Sequence, residues 1–361
     1  PARWRRFFVG LLALLALMLV VARFWGAAAG LLAGAVYVAL PINGIFANMM
    51  NHSNGFIFWS LIAWGCYLRL HQVRGDPAGR ARRSAWLPWF LGLLGATVMS
   101  TAWDWPAYYV AFFMGAYWLV VTLRRQAAVG PWWRPGREFA LLSVFSLVVL
   151  ACLAGHFLLV ESLVGNTAEL ARTVQERVDT PWSRFWFTVR VVPELMFTWP
   201  VLGLATFGVG RLLWRLVRGR LESRDLLPLS YAIGGAVHFT VFKWSAVIHE
   251  YWAWTTLPAV AVISATTLLD LGRWLRRVTV DQLARRIDRP VASGRIAAVA
   301  GLLPLLLLVP LGVRAWTLVP AGRSVGGSMW FVAPTRPGGI TKYHSGRDEL
   351  RLARQVRELV A

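Results

Sequence analysis

Apolar residues in this chain come in long, nearly uninterrupted blocks instead of alternating or returning every three to four positions. A membrane-spanning helix needs about 20 mostly apolar residues. Runs that serve, a few of them with tilt or extension at their ends, lie at roughly 7–22, 27–47, 55–70, 86–103, 107–123, 139–160, 194–214, 227–245, 252–271 and 296–316. Most are apolar all round, so periodicity does not separate lipid-facing helices from buried ones. Pro41, Pro200, Pro258, Pro304 and Pro310 fall within or near these runs, where neighbouring helices of a bundle satisfy the freed backbone groups. The pattern predicts an all-α membrane protein, a polytopic bundle of about ten transmembrane helices. No internal repeat and no low-complexity linker interrupts it.

Composition removes the soluble alternatives. Hydrophobic residues make up 57% of the 361 and charged residues 15%. Counting the 32 glycines, about two thirds of the chain is apolar, against roughly 45–50% in soluble domains. Cys66 and Cys152 each lie inside an apolar run, which argues against a disulfide framework or a cysteine metal site.

The net charge of +21 comes from 36 Arg and only two Lys, Lys243 and Lys342. Most of the arginines sit in the loops Arg69–Arg83, Arg124–Arg137, Arg211–Arg224 and Arg273–Arg295, between apolar runs. That is a positive-inside distribution, and without a binding module it excludes nucleic acid as a partner. With those loops in the cytoplasm, the outer loops become 48–54, 104–106, 161–193, 246–251 and the tail from 317. The three short ones contain no Lys or Arg. The expected location is the cytoplasmic membrane, multi-pass, with membrane lipid as a partner.

This register places Arg3, Arg5 and Arg6 outside, and the chain opens on Pro1. We therefore expect an upstream helix and a first outer loop to precede a bundle of residues 1–316. Residues 317–361 form an extracytoplasmic C-terminal segment. In it, Leu350, Ala353, Val356 and Val360 mark one face of an amphipathic helix, which we expect to start a small outer segment continuing beyond Ala361. Within the 161–193 loop, Asn166 can cap a helix with Leu170, Val174 and Val178 on one face, followed by Trp182, Phe185, Trp186 and Phe187. That suits a helical outer loop lying in the interface, packed on the bundle or gating a substrate.

Candidate chemistry collects at the outer helix ends. No Walker motif occurs, and Gly208-Val-Gly210 lies inside an apolar run without the third glycine of a dinucleotide fingerprint. Asn51-His52-Ser53 matches a glycosylation sequon but abuts a helix end. Ionisable groups at membrane depth cost roughly 2.5–3.5 kcal/mol each on insertion scales, so they are functional candidates. Three groups share the outer face: Asn48 to Asn54 with Asn51, His52 and Asn54; Trp103-Asp104-Trp105-Pro106; and Lys243 to Trp252, with His249, Glu250 and Tyr251. Each has a plainer reading. The first reads equally as a solvated hairpin turn, Asp104 as the start of the helix at Pro106, and Lys243 as snorkelling. His249-Glu250-Tyr251 puts an imidazole, a carboxylate and a phenol together in a very short loop. His156 and His238, alone in apolar runs, read as structural hydrogen-bonding groups. The 21 Trp fit ordinary interfacial belts.

With those residues in view, the chain resembles the GT-C class of polyprenyl-phosphate-dependent glycosyltransferases, in the branch of protein O-mannosyltransferases and lipid A aminoarabinose transferases. Residues 7–41, with Arg23 at the inner turn and Pro41 ending the second helix, resemble the helix pair after that family's first outer loop. Thr101-Ala-Trp-Asp-Trp-Pro-Ala-Tyr-Tyr109 resembles a recurrent helix–turn–helix segment of bacterial members. His249-Glu-Tyr-Trp252, before a helix with Pro258, resembles the family's His-Asp/Glu-Tyr element. The resemblance implies a GT-C-like fold and an inverting transfer of a sugar from a polyprenyl-phosphate donor to a glycan, lipid or protein acceptor outside the membrane. It places the general-base carboxylate in the first outer loop. Asp104, His249 and Glu250 are then the catalytic candidates in this sequence. Lys243, Tyr251, Asn51, His52 and Asn54 are those for substrate binding. Some GT-C enzymes use a divalent metal and others none, and the residues here leave that open, with no other cofactor implied. The competing reading is a lipid-linked-sugar flippase or transporter. Those place their polar residues near the midplane in paired broken helices, a pattern this chain lacks. A non-catalytic scaffold would leave His249 and Glu250 without purpose.

Overall fold

The structure, a computed structural model, describes residues 2–40, 42–43, 53–74, 85–129, 136–164, 172, 175, 182–183, 185–186, 197–243 and 250–284. Among these residues the chain forms nine α-helices and no strand. In chain order they are α1 (Ala2–Trp25), α2 (Ala27–Ala39), α3 (Ser53–Arg74), α4 (Leu87–Trp103), α5 (Pro106–Val129), α6 (Arg137–Val164), α7 (Trp199–Val217), α8 (Leu226–Val241) and α9 (Leu257–Ala284). Short 3-10 segments at Ser223–Asp225 and Glu250–Thr256 lead into α8 and α9.

Among the described residues, five stretches are long and apolar enough to cross a membrane: Phe8–Trp25, Pro106–Arg124, Arg137–Leu163, Trp199–Val217 and Ala253–Trp274. Ala27–Ala39 and Leu87–Trp103 are shorter apolar helices. On α6, Leu147, Leu150, Leu158, Leu159 and Leu163 are all more than half exposed. Such a face is tolerable in lipid and not in water. The chain is a multi-pass helical membrane protein. The apolar run at 296–316, the outer segment 317–361 and most of the 161–193 loop lie outside the described residues, so the count of ten helices stays an expectation.

Helix starts differ from the hydropathy reading where proline intervenes. The run expected at 252–271 opens as a 3-10 segment, and the α-helix begins only at Leu257, with Pro258 in its first turn. Pro200 likewise occupies the first turn of α7 and Pro88 that of α4. A first-turn residue has no intrahelical acceptor for its N–H, so proline costs nothing there and presets the backbone angle. These prolines start helices instead of sitting within them.

The α1–α2 hairpin turns on Gly26, whose φ of 98° lies where side-chain-bearing residues are strained. Gly30 and Gly34, one turn apart on α2, face Met18 of α1 so closely that a Cβ at either position would strike its main chain or side chain. This is the small-residue contact that lets membrane helices approach. Around the hairpin, α3 packs on α1 and α4, α5 lies between α6 and α8, and α9 packs on α2, α7 and α8. Hydrogen bonds tie the helices inside the bundle. Trp64 Nε1 donates to Ser230 Oγ at 3.1 Å, Ser100 Oγ to the Phe56 carbonyl at 3.2 Å, and Ser60 meets the Tyr231 hydroxyl.

The helices alternate in direction, which collects the described arginines of the α3–α4, α5–α6 and α7–α8 connections at one end. There Arg137 stacks on Trp86 at 3.8 Å and Arg224 donates to the Phe24 carbonyl at 2.7 Å. At this end Asp225 is buried against Arg215 (3.0 Å) and accepts the Glu222 N–H (2.9 Å). Burial pushes its carboxyl up from the usual range, while the Glu222 N–H and Arg215 pull it back. The opposite end carries the turn at 104–106.

Candidate functional site

Asp104 ends α4 with extended backbone angles (φ −162°, ψ 149°). Its carboxylate accepts the Trp105 N–H at 2.9 Å, and its carbonyl accepts the Ala107 N–H at 3.2 Å. An Asp before Trp-Pro thus closes one helix and opens the next with a single residue. The side chain is half-buried.

Asn54 lies in the first turn of α3, 7% exposed, with its Oδ1 buried and without a hydrogen-bond partner among the described residues. An unpaired buried amide oxygen costs about 1–3 kcal/mol unless something donates to it. Beside it, Gly55 sits so close to the Trp103 ring that any Cβ there would overlap the indole. Asn54 is therefore adjacent, through Gly55 and Trp103, to the turn that holds Asp104.

The start of α5 carries this end across the bundle. Trp105 packs on His156 of α6 with ring centroids 4.3 Å apart, and the Tyr108 hydroxyl lies 3.4 Å from His156 Nδ1. Tyr109 reaches the other way, onto Gly234 and the ring of His238 in α8, at 5.7 Å. His238 in turn packs on Phe242 at 5.4 Å. Lys243 follows, and its ammonium lies over the Trp182 ring, 4.3 Å from the centroid. Phe185, fully buried, packs on Phe239 at 5.6 Å. Trp182 and Phe185 of the 161–193 loop thus both meet the end of α8. A cation over an indole gains about 0.5–1 kcal/mol when exposed and more when desolvated.

Glu250–Thr256 packs on α8 and approaches α3. Gly235 admits Thr256 against the helix backbone, and Trp254 is almost wholly buried. Asp104, Asn54, Lys243 and the backbone of Glu250 and Tyr251 all belong to this one end of the bundle. Asn51, His52 and His249 lie outside the described residues. Among the described residues no three His, Cys, Asp or Glu side chains are grouped to hold a metal.

The sequence reading passed over the Trp105–Tyr108–His156 cluster. Its histidine is 48 residues from the tyrosine, and a lone His in an apolar run has no local partner to flag it. The only sequence signal is the i,i+3 spacing of Trp105 and Tyr108 on one face of α5.

These residues define a multi-pass helical membrane protein with polar and aromatic side chains gathered at the end opposite Arg137, Arg215 and Arg224. No protein-family model matches the sequence, and neither does any curated protein. Among solved structures the chain is similar to the crystal structure of ArnT from Cupriavidus metallidurans in the apo state, with a TM-score of 0.45 and 18% identity over 88% of this chain and 60% of that one. It is similar also to ArnT from Cupriavidus metallidurans bound to undecaprenyl phosphate, with a TM-score of 0.47 and 17% identity over 88% of this chain and 61% of that one. The chain spans about 60% of the length of each.

Proposed function

We propose that the chain is a membrane glycosyltransferase. It moves a sugar from a polyprenyl-phosphate donor to an acceptor hydroxyl at the outer face of the cytoplasmic membrane, with inversion. The observation that carries the reading is the placement of Lys243, Asp104, Asn54 and the Glu250–Thr256 segment at one end of the bundle. The motif resemblance to GT-C enzymes supplies the chemistry. A donor whose tail lies in lipid and whose sugar phosphate lies at the interface needs polar groups at that level, and needs no nucleotide motif.

In this mechanism the acceptor oxygen attacks the anomeric carbon from the face opposite the phosphate. The bond from that carbon to the phosphate oxygen breaks, and polyprenyl phosphate departs with the electron pair. A carboxylate takes the acceptor proton. Lys243, His249 and Tyr251 hold the phosphate as negative charge builds on it. Asp104 and Glu250 orient the sugar, and Asn54 accepts from a sugar hydroxyl at its Oδ1, with Asn51 and His52 beside it.

The test is transfer from a radiolabelled polyprenyl-phosphate sugar to a membrane extract by the full-length protein. Lys243→Met and His249→Gln, each close in volume, should leave a folded, membrane-inserted protein. They should lower kcat by on the order of 10²–10³, as loss of one transition-state electrostatic contact does. Wild-type rates in both variants would refute the phosphate site.

A further inference from the structure

A second polar assembly lies at the arginine end, remote from Asp104. A cavity of 220 Å³ opens there, its charged lining made by Arg211 and Arg215 of α7, Arg224 and Asp225 of the α7–α8 connection, and Asp270 and Arg273 of α9. Asp270 is shared by Arg211 and by Arg273, the latter at 2.9 Å. Glu222, at the rim, is shared by Arg215 and Arg224, each at 2.7 Å. Asp225 pairs with Arg215. Four guanidiniums thus meet three carboxylates, leaving one positive charge in excess within a strongly basic protein.

The donors are in excess as well. A guanidinium has five N–H groups and no acceptor. The Nε–H of Arg211 and that of Arg224 are buried with no hydrogen-bond partner among the described residues. An ion-pair network that served only to pin helix ends would have little reason to leave two such donors unmet, because each costs about 1–3 kcal/mol. A tetrahedral oxyanion held in the cavity would supply acceptors for them, since arginine forks match phosphate oxygens two at a time.

We propose that this cavity is a binding site for a phosphate group, supplied by an anionic phospholipid headgroup or by free phosphate. Its level favours the headgroup. Trp214 and Trp274, both more than half exposed, flank it on α7 and α9, where an interfacial belt would lie. Basic pockets between helices on the cytoplasmic side, where the arginine asymmetry puts this end, take anionic headgroups in this manner. The site is separate from the proposed transferase site and does not depend on it.

The test uses the full-length protein in detergent, with phosphatidylglycerol, phosphatidylcholine and inorganic phosphate as probes. Readouts are the thermal midpoint and the lipid retained in native mass spectrometry. Phosphatidylglycerol should raise the midpoint and stay bound, and phosphatidylcholine should do neither. Displacement of phosphatidylglycerol by millimolar inorganic phosphate would identify free phosphate as sufficient. Binding of phosphatidylglycerol without such displacement would identify the headgroup as the source. Arg211→Gln and Arg224→Gln should each weaken binding at least tenfold. Both break an ion pair, so Thr266→Glu is the cleaner variant. Thr266 lines the cavity, and among the described residues its hydroxyl donates only to carbonyls of its own helix, at 2.9 and 3.1 Å. The substitution keeps all four arginines and places a carboxylate among them, so the protein should fold and lose the lipid. Failure of both phosphatidylglycerol and phosphate to bind, or unchanged binding in Thr266→Glu, would overturn the proposal. No readout here involves sugar transfer, so this result and that of the transferase test are independent.

Discussion

At the scale of single residues, Asp104 offers the cleanest separation of a structural role from a chemical one. Its carboxylate accepts the N–H of Trp105, and main-chain bonds at the Asp104 N–H and carbonyl help close the turn. Asparagine keeps the acceptor oxygen and removes the charge. Asp104→Asn should therefore change stability by no more than about 0.5 kcal/mol, read as an unshifted thermal midpoint. If the carboxylate orients the donor sugar, the same variant should lose at least tenfold in transfer rate. An unchanged rate would assign Asp104 to the turn alone. Lys243 differs in that Trp182 already holds its ammonium, so it is preorganised instead of sweeping the interface as a free snorkelling side chain would.

Among the elements, the α1–α2 contact is the tightest piece of packing that a small change can test. Gly34 lies against the side chain of Met18, and larger residues there must push the two helices apart. Gly34→Leu should destabilise the bundle by about 1–3 kcal/mol, read as an earlier midpoint in a denaturation series, while Gly95→Leu, with open space around it, should not. Apolar run length made α1, α5, α6 and α7 legible in the sequence, because burying twenty apolar residues in lipid leaves few alternatives. Two things were less legible. Helix starts at Trp199 and Leu257 were set by a first-turn proline instead of by hydropathy. Side-chain partners such as Tyr108 and His156 come from different helices, and a sequence that is apolar all round carries no face by which to pair them. Asp104 and Lys243 were legible as candidates because a charge in an apolar chain stands out. What surrounds them was not.

For the whole molecule, the arginine asymmetry predicts one orientation. A cysteine at position 282, in the last turn of α9, should react with a membrane-impermeant maleimide only from the cytoplasmic side when introduced as Gln282→Cys. Labelling from outside would invert the topology and place the Asp104 end in the cytoplasm. The gathering of Asp104, Asn54 and Lys243 at one end is what favours transfer over transport, since a transporter needs its site near the midplane. The most direct measurement follows the donor itself. The full-length protein, reconstituted in vesicles with radiolabelled polyprenyl-phosphate sugar and acceptor extract, should release free polyprenyl phosphate in step with label entering the acceptor. Passage of intact lipid-linked sugar across the bilayer, with no polyprenyl phosphate released, would contradict the transferase reading and establish a flippase.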